Sequence, residues 1–208
     1  MISHKHRCIF VHIPKTGGSS IEDVIWPGER TEADLWMGFT SRYRNRYQTG
    51  GLQHLLARQI REEVGAEVFD SYFKFTFVRN PWDKAVSQFA SMGDRADLRE
   101  LIGMAPGASL SEYLQLTERH GHVQWERQVE FLHDENRAPL VDFVGRFENL
   151  KHDAQVVFER LGIRCRLPHR NRSRHRHYRK YFDDPSREWI LRLSLGGGAL
   201  RAEATSGN

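Results

Sequence analysis

The sequence predicts an α/β fold, a P-loop-like three-layer α/β/α arrangement around a central parallel sheet. Three observations point to it. Apolar runs rich in β-branched and aromatic residues alternate with helical segments, which argues for a parallel sheet with helices on both faces. The first two of these runs each end in a turn with helix-start chemistry. No internal repeat is evident, and 208 residues are enough for one substantial core but short for two. Residues 1–195 therefore read as a single domain and the Gly- and Ala-rich end 196–208 as a flexible tail.

The elements follow in order. A strand over 8–12 enters the turn Pro14-Lys-Thr-Gly-Gly18, and Ser19 and Ser20 lie at the start of a helix over 18–25. A long polar and aromatic connection, 26–50, leads to a helix over 53–64. Tyr72-Phe-Lys-Phe-Thr-Phe-Val78 is a second strand; Asn80 is a strong N-cap and Pro81 suits the first helical position, so a helix over 81–92 begins there. Ser109-Leu-Ser-Glu112 has capping-box spacing and marks a helix over 109–119. A strand over 141–146 precedes a helix over 151–161, whose Val156, Val157 and Leu161 fall on helical spacing. Asp184-Pro185 starts a last helix running to about Leu193.

The chemistry concentrates at the two strand-to-helix turns. Gly17 and Gly18 let the backbone adopt φ > 0 and approach a ligand closely, and a helix N-terminus attracts an anion. Lys15 adds a charge, and Thr16, Ser19 and Ser20 add hydroxyls. The nucleotide-triphosphatase loop reads G-x-x-x-x-G-K-[ST], and no glycine precedes Lys15 here, which weakens that reading. Arg79 stands at the carboxyl end of the second strand, where open α/β sheets bind ligands, and Ser87 lies about two turns along the following helix. Two separate anion sites of this kind suit a nucleotide phosphorylated at both its 5′ and 3′ ends.

These residues carry a resemblance. Ile13-Pro-Lys-Thr-Gly-Gly-Ser-Ser20 resembles the 5′-phosphosulfate loop of sulfotransferases that use 3′-phosphoadenosine 5′-phosphosulfate (PAPS), and Val78-Arg-Asn-Pro-Trp-Asp-Lys-Ala-Val-Ser87 resembles their 3′-phosphate motif. The likeness is closest to the branch of carbohydrate sulfotransferases and their bacterial relatives. It extends through Val144-Gly-Arg-Phe-Glu-Asn-Leu150 and the spaced Asn171, Ser173, His175, Tyr178 and Tyr181, covering roughly residues 7 to 192. The resemblance implies that Lys15 stabilises the departing phosphate oxygen while Thr16, Gly17, Gly18, Ser19 and Ser20 bind the 5′-phosphate. It places Arg79, Ser87, Asn171 and Ser173 around the 3′-phosphate and adenine. It implies transfer of a sulfuryl group to a hydroxyl of a small molecule or glycan, with no metal required by the motif.

The acceptor hydroxyl needs a general base, and two candidates stand. His54 opens the helix before the second strand, and a neutral imidazole accepts a proton near pH 7. Relatives acting on glycosaminoglycans place a histidine base between the two motifs, whereas related N- and O-sulfotransferases use a glutamate on the first helix, here Glu22. His12, beside the loop, reads as a structural hydrogen-bonding residue, and Trp82 as a packing residue. Trp26, Trp36, Phe39, Tyr43 and Tyr47, with Arg42, Arg44 and Arg46 between them, suit an anionic or sugar acceptor or an amphipathic cover for the core.

Composition bounds the alternatives. No stretch of some twenty apolar residues is present, so no membrane span is indicated, and no secretory h-region stands apart from the first strand. Animal Golgi members of the family carry an anchor; its absence here leads to the expectation of a bacterial-type cytoplasmic enzyme. Cys8 and Cys165, the two cysteines, form neither a disulfide framework nor a zinc site and fit a reducing compartment. The net charge of +4 is concentrated in the basic run 169–180, the chief argument for a nucleic-acid-binding module. That rival needs interleaved aromatics, and only Tyr178 and Tyr181 are available. A P-loop kinase, the other rival, needs a magnesium-binding carboxylate at a strand end and a complete Gly-rich loop.

Overall fold

The computed structural model describes residues 1–36, 51–120, 122–168 and 177–195. Among them, four strands form one sheet in the order β1-β2-β3-β4. β2 (Cys8–Val11), β3 (Phe73–Val78) and β4 (Phe143–Arg146) are parallel, with Phe10 opposite Phe75 and Phe77 opposite Gly145. β1 (Ile2–Ser3) is antiparallel to β2, so the expected central parallel sheet carries an antiparallel edge strand that the sequence reading lacks. The chain reverses over His4–Arg7, with Arg7 in the left-handed region at φ 47°, so the strand ahead of Cys8 folds back on β2 rather than crossing over.

Alternation along the strands divides the core between the two faces of the sheet. Ile9, Val11 and Ile13 pack with Ala57 and Ile60 of α2 (Ala57–Val64), Phe69 of α3 (Ala66–Ser71) and Phe131. On the other face Cys8, Phe10, Phe75 and Phe77 meet Ile21 and Ile25 of α1 (Gly18–Ile25) and Ala154, Val157 and Phe158 of α7 (Leu150–Arg160). Thr76 is fully buried in this central strand, and its hydroxyl donates to the Val11 carbonyl at 2.7 Å, which satisfies a group that burial leaves no water to solvate. A third cluster unites α4 (Pro81–Ser91), α5 (Ala96–Ile102), α6 (Leu110–Glu118) and α8 (Asp184–Leu195).

Local chemistry sets the helix starts. The Asn80 side chain accepts from the Trp82 and Asp83 amides at 3.0 and 3.3 Å, with Pro81 first in α4. Ser109 and Glu112 form the expected reciprocal box, at 3.2 and 2.7 Å. The expected helix over 53–64 divides into a 3₁₀ turn at Gly51–His54 and α2 from Ala57, because Leu56 offers no capping oxygen and Gln59 Oε1 takes its amide at 2.9 Å instead. His54 therefore ends a 3₁₀ turn rather than opening an α-helix. α3 and α5, of 6 and 7 residues, lie outside the sequence reading, being too short to show a full helical period. No helix among the described residues is long and apolar enough to cross a membrane.

Candidate active site

The turn between β2 and α1 is shaped by its backbone. Lys15 adopts φ 69° and Gly17 φ 86°, so the chain curls through the left-handed region twice in three residues. A Cβ on Gly17 would lie 2.7 Å from Leu150, and one on Gly18 would lie 2.0 Å from His12 Nε2. Both glycines are thus required, the first by conformation and the second by contact. No side chain caps α1; the Ser20 amide donates to the Gly17 carbonyl at 3.1 Å, and the Gly18 and Ser19 amides remain for a ligand. Thr16 is fully buried and its hydroxyl donates to the Ile13 carbonyl at 2.8 Å. Its proton is committed to holding the loop, which leaves its amide as the group that can donate to an anion. Ser19 is half-buried and Ser20 buried on the first turn of α1.

One guanidinium joins the two turns. Arg79 is 5% exposed; Nη1 donates to the Lys15 carbonyl at 3.0 Å, and Nε and Nη2 reach Asp83 Oδ2 at 2.8 and 2.7 Å. The Phe147 ring lies under it, 4.0 Å from the guanidinium carbon to the ring centroid. Gln128 holds its backbone from both sides, giving Oε1 to the Arg79 amide and Nε2 to its carbonyl, each at 2.8 Å. Ser87 lies further along α4, buried at 1% exposure. Burial, Arg79 and Arg95 push the Lys15 ammonium below the usual lysine range, with Asp94 partly offsetting them. Among the described residues no side chain or carbonyl hydrogen-bonds that ammonium, so an incoming anion meets a cation already short of counter-charge.

Behind the loop, His12, Glu22 and His54 form a buried group. The His54 ring meets that of His12 at 4.5 Å between centroids, and His54 Nδ1 lies 2.9 Å from the His12 carbonyl. A carbonyl only accepts, so Nδ1 carries the proton and Nε2 is left as the basic nitrogen. Burial, the neighbouring His12 and other positive groups hold the His54 pKa well below 6.5, so the ring is neutral at pH 7. Glu22 is 1% exposed; Oε1 lies 2.7 Å from His12 Nδ1, and Oε2 accepts from Arg30 at 3.4 Å. That close approach lacks hydrogen-bond geometry. Glu22 thus faces His12 and Arg30.

The structure brings Lys15, Thr16, Gly17, Gly18, Ser19, Ser20 and Arg79 into one frame and sets His54 and Glu22 behind it through His12. Asn171 and Ser173 lie outside the described residues, as do His175, residues 37–50 and the tail 196–208. Of the aromatics proposed for an acceptor, Trp26 is a core residue donating Nε1–H to the Ile2 carbonyl at 3.1 Å, and Trp36 carries Arg30 over its ring at 4.8 Å. Trp82 packs edge-to-face on Phe182 at 4.8 Å, as expected of a packing residue.

Three features of the structure have no task assigned to them by the sequence reading. Arg95 and Asp94 set the charge around Lys15 from a turn with no motif of its own. The segment after β4 was recognised by resemblance only; its physical task is bracing. Gly145 lets Phe77 pack where a Cβ would come within 2.4 Å, Phe147 and Leu150 back Gly17, and Glu148 accepts the Asn80 amide at 2.6 Å. Its four-residue strand and following helix were legible, but which loops it touches is a matter of tertiary contact. Lys84 is buried on α4 at 7% exposure, and nothing in its sequence spacing marks it.

An uncharacterized protein of Archaeoglobus fulgidus is 31% identical over 107 residues, covering 51% of this chain and 82% of the relative. No solved structure matches the chain. The model of the sulfotransferase family matches residues 1–194, a span that takes in both turns, the histidine pair and the bracing segment. The chain belongs to the sulfotransferase family.

Proposed function

We propose that the protein transfers a sulfuryl group from 3′-phosphoadenosine 5′-phosphosulfate to a hydroxyl acceptor, for which the resemblance favours a carbohydrate. The observation that carries this reading is the Arg79 to Lys15 carbonyl bond, which fixes the distance between two cationic turns as one rigid unit. A 5′-phosphate suits the first turn, where the uncapped start of α1 and the close approach at Gly17 and Gly18 provide amides and room. A 3′-phosphate suits Arg79 and Ser87, with Asp83 exchanged from the guanidinium as the phosphate arrives. When bound, the donor supplies the sulfuryl group and a phosphate oxygen as leaving atom.

The chain's own residues then have distinct tasks. Lys15 holds positive charge beside the leaving oxygen, a charge raised in effect by its partial burial. His54 takes the acceptor proton on Nε2 while the His12 carbonyl keeps Nδ1–H in place. His12 and Glu22 position that base from behind. Cytoplasmic residence is part of the proposal, supported by two free thiols, Cys8 buried and Cys165 exposed.

The test is ligand discrimination by Arg79. Arg79→Ala should weaken adenosine 3′,5′-bisphosphate by at least about tenfold, the effect of one charge-assisted contact, and adenosine 5′-phosphate far less. Equal weakening of both ligands would show that Arg79 acts only by holding the Lys15 carbonyl, and the 3′-phosphate assignment would fall.

A further inference from the structure

A cavity of about 730 Å³ opens in the helical cluster beside the sheet, between α4, α6, α8 and the segment 125–129. Tyr113, Trp125 and Trp189 contribute to its wall. Both indole N–H groups are already used: Trp125 Nε1–H donates to the Tyr113 hydroxyl at 2.7 Å and Trp189 Nε1–H to Glu118 at 3.1 Å. What these side chains offer a ligand is ring surface. The Gln128 amide is likewise spent on the Arg79 backbone. Lys84 lines the same cavity at 7% exposure, and its ammonium has no hydrogen bond or ion pair among the described residues. Glu126 attracts it through space and Arg79 repels it, while Arg127 and Arg137, also at the cavity, pair with Glu130. A buried ammonium without a bonded partner is costly, and a bound anion would satisfy it.

We propose that this cavity binds a planar aromatic molecule carrying one anionic group, the anion on Lys84 and the rings against Trp125 and Trp189. The volume falls in the range of small-molecule sites, and the mixture of apolar wall and a single uncommitted cation is the usual form of such a site. The inference does not depend on sulfuryl transfer, and its test needs no donor.

Naphthalene-2-sulfonate and its uncharged counterpart 2-naphthol serve as probes, followed by quenching of tryptophan fluorescence. The sulfonate should bind saturably, and Lys84→Met should weaken it by at least about tenfold while changing 2-naphthol little. On the wild-type protein, sulfonate affinity should fall between pH 7 and pH 9, because burial lowers the Lys84 pKa to about 8. Saturating adenosine 3′,5′-bisphosphate should leave the sulfonate bound. Absence of binding, equal affinity in Lys84→Met, a flat pH response, or displacement by the bisphosphate would each overturn the proposal.

Discussion

Lys15 sits in the left-handed region at φ 69°, a conformation that a residue with a Cβ adopts at some cost. Alanine carries the same Cβ, so Lys15→Ala isolates the charge from the strain. The variant should fold normally and lose sulfuryl transfer, and Lys15→Arg should lose less, since charge survives without its position. Transfer within a few-fold of wild type in Lys15→Ala, assayed with labelled donor, contradicts the role. For the base, His54→Ala should lower turnover by about 10²–10⁴-fold with nucleotide affinity nearly unchanged. The acid limb of the rate profile should lie below pH 6.5, because burial lowers the His54 pKa, and it should vanish in the variant. The same shift has a stability consequence. Below pH 6.5 the unfolded chain binds a proton at this histidine that the folded chain does not, so wild-type stability should fall with pH there. Glu22→Gln keeps the shape of the rival carboxylate; a dead Glu22→Gln beside an active His54→Ala would reverse the two roles.

At the scale of elements, the β2-to-α1 turn works only because its neighbours leave room for it. A Cβ on Gly18 would stand 2.0 Å from His12 Nε2, and the His12 carbonyl in turn holds His54 while its ring lies 2.7 Å from Glu22. Gly18→Ala should therefore cost about 1–3 kcal/mol of stability as an overpacked buried contact. It should also lower transfer by displacing the histidine pair; chemical denaturation and an activity assay check both, and a variant matching wild type in both contradicts the account. The glycines of this turn, the Asn80-Pro81 cap and the Ser109–Glu112 box were legible because each is written in adjacent residues. The antiparallel β1, the division of α2 from the His54 turn, and the bracing of Gly17 by Phe147 were not. Those depend on which distant residues meet, such as Gln59 taking the Leu56 amide in place of a cap.

For the whole molecule, the sheet supplies a frame and the helical cluster carries a charge that destabilises it. Burial lowers the Lys84 pKa from 10.5 to about 8, a difference worth about 3 kcal/mol at pH 7. Between those two values the unfolded state holds the proton and the folded state does not, so this lysine's penalty fades as pH rises. Lys84→Met should thus be more stable than wild type at pH 7 by up to that amount, and the gap in urea denaturation should shrink by pH 10. An unchanged gap would mean that the ammonium is not desolvated as its burial indicates. The order of strands and helices around the anion turns was readable from the sequence, since alternation and turn chemistry recur along it; the cavity beside α4 was not, because its walls come from residues between 81 and 190. The central claim, that two cationic turns held together by Arg79 accept a nucleotide phosphorylated at both ends, is most directly tested by calorimetry. Adenosine 3′,5′-bisphosphate should bind at least about tenfold more tightly than either adenosine 5′-phosphate or ATP, one charge-assisted contact's worth. Equal affinity for the three nucleotides would contradict it.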